Sequence, residues 1–376
     1  MNADRPPGPS QDDRPSDRDR SADERPATDP PGAAAAARPR DVVYVIDGTL
    51  ASLEAGRESH AGRLHRLLRE GGARSGRQHA YHPGVQGEGA AKWWRALIGR
   101  GVNDSIRQGY AFLSSRARPG DRLFLFGYSR GAYAVRSLAG LIDRLGLLRP
   151  EAALQRRVRQ AFRHYEAGPS TAAEAFSARH CRRDACVEMI GVWDTVKALG
   201  VPLPVLSRFH PMATAFHDHA LGPSIRFGAQ ALALDEDRTA FAPVMWEHAP
   251  DWRGRIEQRW FPGAHMDVGG QVGGFPQARP LANLSLVWML ELAEAHGLAL
   301  PDGWRGRFET DPAAPMHGPR RGRAAGFLLR APRQVDAHPG EDLHPSVAAR
   351  MEATGYAPRA LGLLPEPGPS KPFVQP

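Results

Sequence analysis

Cysteine is almost missing from this chain: Cys181 and Cys186 are the only two in 376 residues. Two thiols cannot staple a chain of this size, and no set of four zinc ligands surrounds them. They read as buried or idle thiols, with a local disulfide open only in an oxidising compartment. Long apolar runs are missing too. No stretch approaches the roughly 20 residues that a membrane helix needs, and Ala33–Ala37 is too short and too weakly apolar for a cleaved leader. The expectation is a soluble chain, cytoplasmic as synthesised, for which secretion without a cleavable signal stays open. There is no H-E-x-x-H string and no dense His–Asp cluster, so no metal and no cofactor is expected. A concentrated basic tract is also lacking. The net charge of +8 is dispersed and mostly arginine, which is no nucleic-acid signature but permits weak peripheral attraction to an anionic membrane.

What is present is ample material for a core: 41% of residues are apolar. Residues 1–39 are rich in Pro, Asp, Arg and Ser and are expected to be a disordered tail, as is the stretch 365–376. Residues 40–310 are read as the catalytic domain, with 311–364 as its C-terminal extension. Order begins at the apolar run Asp41–Ile46, which ends in Asp47-Gly48-Thr49. A helical pattern over about 88–116 places Trp93, Trp94, Ile98, Ile106, Tyr110 and Leu113 on one face. Cys186–Trp193 and Arg255–Phe261 are further strands, followed by Asp194 and by Pro262-Gly263-Ala264-His265. Leu281–His296 reads as a strong helix stopped by Gly297. Strands interleaved with helices imply an α/β fold, a mainly parallel sheet flanked by helices, whose strand carboxyl ends form one functional edge.

The most informative string is Gly127-Tyr128-Ser129-Arg130-Gly131. It follows the apolar run Leu123–Phe126 and precedes a helical pattern of Val135, Leu138, Ile142 and Leu145. Strand, tight turn and helix are the setting of a nucleophile elbow. Side chains at Gly127 or Gly131 would collide with neighbouring backbone in so sharp a turn. The N–H of Arg130, at the start of the helix, is placed to stabilise an oxyanion.

A serine hydroxyl needs a base to take its proton and an acid to hold that base. His265, on a glycine-rich loop after the last strong strand, is the candidate base, and Asp267 is a candidate for steadying that loop. The acid is Asp194 or Asp235. The first closes a strand and the second follows the apolar run Ala231–Leu234. The turn after the first strand offers a second oxyanion N–H near Gly48 or Thr49, or an Asp47 that orders the elbow. An aspartyl phosphatase of the haloacid-dehalogenase type would need a nucleophilic acid where Val45 stands, which removes that reading. A metal-dependent phosphoesterase on Asp47, Asp194, His265 and Asp267, and a catalytically idle interaction module, are the remaining alternatives.

Six pieces, in order, resemble the hydrolase domain of type VI secretion phospholipase effectors and their relatives of unknown function. They are Ile46–Thr49, Tyr81–Val85, Gly127–Tyr133, Gly191–Val196, Ala231–Arg238 and Phe261–Gly270. The resemblance implies an α/β-hydrolase fold and a Ser-Asp-His triad on Ser129, Asp194 or Asp235, and His265. It also implies an ester or phospholipid substrate. The chain departs from the family's usual pattern at Met266, where serine is common, at Gln271 in place of a third glycine, and at Gln230 in place of a histidine. For contact with lipid, the loop around Phe209, Met212 and Phe216 is the expected lid or interfacial segment.

Overall fold

In the computed structural model, the described residues are 39–84, 100–196, 221–247, 252–321, 327–335, 338 and 340–362. Residues 1–38 of the expected N-terminal tail, the expected C-terminal tail, the Trp93–Ile98 part of the helical pattern and the Phe209–Phe216 loop lie outside them.

The chain runs β1 (Asp41–Ile46), α1 (His60–Ser75), β2 (Gln78–His82), α2 (Arg100–Arg116), β3 (Arg122–Tyr128) and α3 (Arg130–Leu145). There follow β4 (Leu147–Leu148), α4 (Gln155–Ala167), α5 (Thr171–His180), β5 (Cys181–Arg182), β6 (Cys186–Trp193) and β7 (Phe227–Ala233). The last elements are β8 (Arg255–Phe261), α6 (His265–Val268), α7 (Arg279–Ala295), β9 (Glu341–Leu343) and α8 (Ser346–Thr354). Seven strands pair in the order β2-β1-β3-β6-β7-β8-β9, and every pairing among them is parallel. β4 and β5 form a separate antiparallel pair.

Strands such as VVYVI in β1 and LFLF in β3 are apolar at successive positions because both faces of a parallel sheet are covered. Alternate side chains go to opposite layers. Val42, Tyr44, Leu123 and Leu125 join Ile106, Tyr110, Leu138 and Ile142 in one core cluster. Val43, Val45, Phe124 and Phe126 join Leu64, Leu68, Leu286 and Met289 in the other. Helices α2 and α3 thus cover one face, and α1 and α7 the other. Among the described residues no helix is long and apolar enough to cross a membrane. Cys181 and Cys186 are both free thiols.

The register aligns the strand ends. Ile46 pairs with Gly127, Tyr128 with Trp193, Trp193 with Ala231, and Ala233 with Phe261. The residues just past those ends, Asp47, Ser129, Asp194 and His265, which opens the short helix α6 and does not sit on an open loop as expected, therefore emerge along one edge of the sheet.

Candidate active site

Ser129 leaves β3 with φ 59° and ψ −121°, a region that side-chain-bearing residues rarely adopt. Two backbone bonds hold it there: its N–H donates to Trp193 O at 3.0 Å, and its carbonyl accepts from Tyr133 N at 3.3 Å. The glycines around it are required by space. A Cβ on Gly127 would lie 2.5 Å from Gly131 O, and one on Gly131 would lie 2.3 Å from Ile46 O and 2.4 Å from Asp47 O. These neighbours are backbone, so they cannot swing away. The Ser129 side chain makes no cap on α3; its oxygen is turned to the histidine.

Three described residues other than glycine have positive φ: Leu50, Ser129 and Asp194. All three sit just beyond strand ends on the same edge. Strain of this kind, about 1–3 kcal/mol per residue, persists only where surrounding structure imposes it, and it gathers at functional sites.

Ser129 Oγ and His265 Nε2 are 2.8 Å apart, and His265 Nδ1 and Asp194 Oδ2 are 2.6 Å apart. The proton positions follow from the partners. Asp194 is fully buried, and burial pushes its carboxyl up, but the Arg333 guanidinium and the hydrogen bond from His265 hold it well below the ordinary 3.8. An ionised carboxylate only accepts, so Nδ1 carries the hydrogen and Nε2 is left to accept from the serine hydroxyl. The imidazole is fixed by its surroundings. Its ring stacks on Tyr128 with centroids 5.0 Å apart and meets the edge of Phe241 at 4.9 Å. The His265 backbone N–H donates to Glu236 Oε2 at 3.2 Å, and Glu236 is itself paired with Arg238 at 2.7 Å.

Arg333 is the residue sequence reasoning missed. It is buried, and its two terminal nitrogens bond both oxygens of Asp194, Nη1 to Oδ1 at 2.5 Å and Nη2 to Oδ2 at 2.9 Å. The same nitrogens donate to Ala233 O at 2.9 Å and to Phe241 O at 2.6 Å. Asp194 Oδ1 also accepts from Ala233 N at 3.0 Å.

The other residues singled out in the sequence are placed elsewhere. Asp235 Oδ2 accepts from Gly263 N at 2.7 Å and Tyr356 Oη at 2.6 Å. These bonds hold the loop before His265, and the imidazole's acid partner is Asp194. Asp267 Oδ2 accepts from Ala264 N at 2.9 Å and Gly318 N at 3.0 Å, and Oδ1 from His317 N at 2.7 Å. Asp47 is fully buried and accepts from Gly48 N at 2.7 Å, Ser59 Oγ at 2.6 Å and Tyr81 Oη at 2.7 Å. Burial pushes its carboxyl up to about 6 in spite of those three donors. The expectation that Gly48 offers its N–H to an oxyanion is corrected, because that hydrogen is already given to Asp47. Gly48 still belongs to the wall of the site, since a Cβ there would meet the Tyr128 ring at 2.6 Å and Ser129 Cβ at 3.5 Å. Beside it, the Thr49 hydroxyl is buried without a hydrogen-bond partner. Arg130 opens α3, which puts its N–H in the first turn next to Ser129. The four groups of the metal reading face different donors, and among the described residues no cluster of three His, Cys, Asp or Glu is arranged to hold a metal.

An uncharacterized protein of Saccharomyces cerevisiae is 34% identical over 112 residues, which is 27% of this chain and 16% of that protein. An uncharacterized protein from Pseudomonas aeruginosa of known structure aligns at 16% identity and a TM-score of 0.47, covering 72% of this chain and 49% of that one. The Tle1 effector, solved bound to the VgrG spike of the type VI secretion system, aligns at 17% identity and a TM-score of 0.29, covering 64% of this chain and 53% of that one. The chain thus spans well under two thirds of each of these relatives. Residues 40–292 match the family described as the type VI secretion phospholipase effector, Tle1-like, catalytic domain. That match takes in the elbow, Asp194 and His265 and most of the chain: the protein belongs to the Tle1-like phospholipase effector catalytic-domain family.

Proposed function

We propose that the chain is a serine hydrolase that cleaves carboxylic ester bonds of phospholipids through an acyl-enzyme. The observation that carries this reading is the unbroken hydrogen-bonded line from Asp194 through His265 to Ser129 on a strained elbow. Ser129 Oγ attacks the ester carbonyl as His265 Nε2 takes its proton. Asp194 holds the tautomer and stabilises the imidazolium that forms. His265 then returns the proton to the departing alcohol, and in the second half it activates the water that releases the fatty acid. The Arg130 N–H supports the oxyanion from the start of α3, and Thr49, with its unpartnered buried hydroxyl, is the second donor.

Lipid as substrate is supported by family membership and by apolar side chains on the working edge. Leu328 is 90% and Leu329 66% exposed, and Leu50 and Leu53 beyond β1 are exposed as well. The Leu328 segment stands beside the site, because Phe327 packs edge-on against Phe241, which in turn touches the His265 ring. With a net charge of +8, the protein meets an anionic bilayer from outside, by peripheral contact.

The test is fatty-acid release from anionic phospholipid vesicles against a short soluble ester. Vesicle hydrolysis is expected to be the faster, and to fall as salt shortens the Debye length to about 10 Å at 0.1 M. Equal turnover of short esters, with no response to vesicles or salt, would leave a general carboxylesterase. Folded protein without any ester turnover would leave an interaction module.

A further inference from the structure

We propose that Arg333, from beyond the family-matched segment, is a positioning residue of the catalytic site: it clamps Asp194 in place and offsets its charge, so that the carboxylate stays aimed at His265 Nδ1. The proposal rests on the reading of Ser129, His265 and Asp194 as the catalytic set.

Three features of the contact point this way. First, the clamp is two-pronged and fully enclosed. Arg333 and Asp194 are 4% and 0% exposed at the side chain, so water does not compete for either group. Planar guanidinium against planar carboxylate fixes the plane and the angle of the acid as well as its position. Second, the guanidinium is anchored from both sides by Ala233 O at the end of β7 and by Phe241 O. Phe241 is also the residue whose ring edge meets His265. One side chain therefore ties together the end of a sheet strand, the acid and the wall of the imidazole pocket. Third, Asp194 sits at φ 44°, a strained backbone that needs an outside restraint to keep its carboxylate aimed at Nδ1.

The charge matters as much as the geometry. A buried carboxylate with no cation beside it draws a proton onto the imidazole, and a protonated histidine cannot accept from serine. Arg333 supplies the opposing charge. Other charged groups near His265 are Glu236, which is paired with Arg238, and, beyond the Tyr128 ring, Asp47. Among the described residues Arg333 is the cation bonded to the Asp194–His265 pair.

The experiment is the pH profile of kcat/KM on a short soluble ester for three variants, with thermal melts to establish folding. In Arg333→Met the acidic limb is expected to move up by about one to two pH units, as for removal of a unit charge roughly 6 Å away at an effective dielectric of about 20. Arg333→Lys keeps the charge but loses the two-pronged grip, so its limb stays within about 0.3 pH unit while the plateau falls roughly tenfold. A folded Arg333→Met with an unmoved limb overturns the proposal. If that variant does not fold, Asp194→Asn is compared with Asp194→Asn/Arg333→Met, which buries no lone carboxylate. A cation that acts through Asp194 has nothing further to lose, so the two agree within about threefold. A further loss of tenfold or more in the double variant overturns the proposal. Failure of the underlying reading would look different, because a fluorophosphonate probe would then leave Ser129 unlabelled in the unaltered protein.

Discussion

The two halves of the site are built in opposite ways. The serine side is local: strand, glycine, serine and helix start lie within residues 122–131, and the glycines lack side chains because neighbouring backbone already occupies the space. The acid side is assembled from distant pieces. Asp194 follows β6, its backbone N–H donates to Ala231 O at 2.8 Å, and its carboxylate is gripped by Arg333, 139 residues further along the chain. A local unit is set by the sequence that encodes it. A dispersed unit exists only once the sheet and the C-terminal residues have closed on one another.

That contrast is sharpened most strongly by the acid itself. Asp194→Asn is expected to cut turnover by about 10³–10⁴, because the amide favours the wrong imidazole tautomer. Asp235→Asn should keep turnover within about threefold and lose about 1–2 kcal/mol of stability as its bonds to Gly263 and Tyr356 weaken. Steady-state kinetics and denaturant melts on the pair decide this, and the reverse pattern would move the acid to Asp235. The local side breaks differently. Gly131→Ala places a methyl against the carbonyls of Ile46 and Asp47, so the elbow must shift, and a displacement of about 1 Å costs roughly 10²-fold in turnover. Binding of substrate should change far less, which a KM measurement checks.

A change in stability with pH, without any change in the chemistry, concerns the turn at Asp47, on the serine side. Its carboxyl is pushed from 3.8 up to about 6 by burial, so the folded chain binds that proton more tightly than the unfolded chain does. The stabilisation is complete below pH 3.8 and is lost as pH rises through about 6, a change on the order of 3 kcal/mol. Asp47→Asn cannot ionise and keeps hydrogen-bonding groups at both positions. The stability of the unaltered protein relative to this variant should therefore fall between pH 4 and pH 7 in urea melts at the two pH values.

Legibility in the sequence follows the same division. The elbow and Asp194 were readable because each closes an apolar run, and His265 because it follows a strand ending in Trp260 and Phe261; a parallel sheet brings such ends to one edge, while the choice between Asp194 and Asp235 stayed open. β2 was not readable: Gln78-His79-Ala80-Tyr81-His82 is polar because it is an edge strand, half-buried along its length. β9 is only three residues long, too short for any alternation to register. Arg333 lay hidden for another reason. It is one of 49 basic residues in an arginine-rich chain, and nothing in Ala331-Pro332-Arg333-Gln334-Val335 marks a cation that will be buried. Only the fold supplies the carboxylate that gives it a role. The hydrogen bond from Gly48 to Asp47 was equally invisible, since the identity of a donor's partner is a matter of turn geometry.

The central claim is that Ser129 is a nucleophile activated by His265, and covalent capture tests it most directly. A fluorophosphonate probe followed by peptide mass mapping should place one adduct per chain on Ser129, with none on Ser129→Ala and labelling slowed by several orders of magnitude in His265→Ala. Folded protein that takes up no probe, or carries it on another residue, would contradict the account.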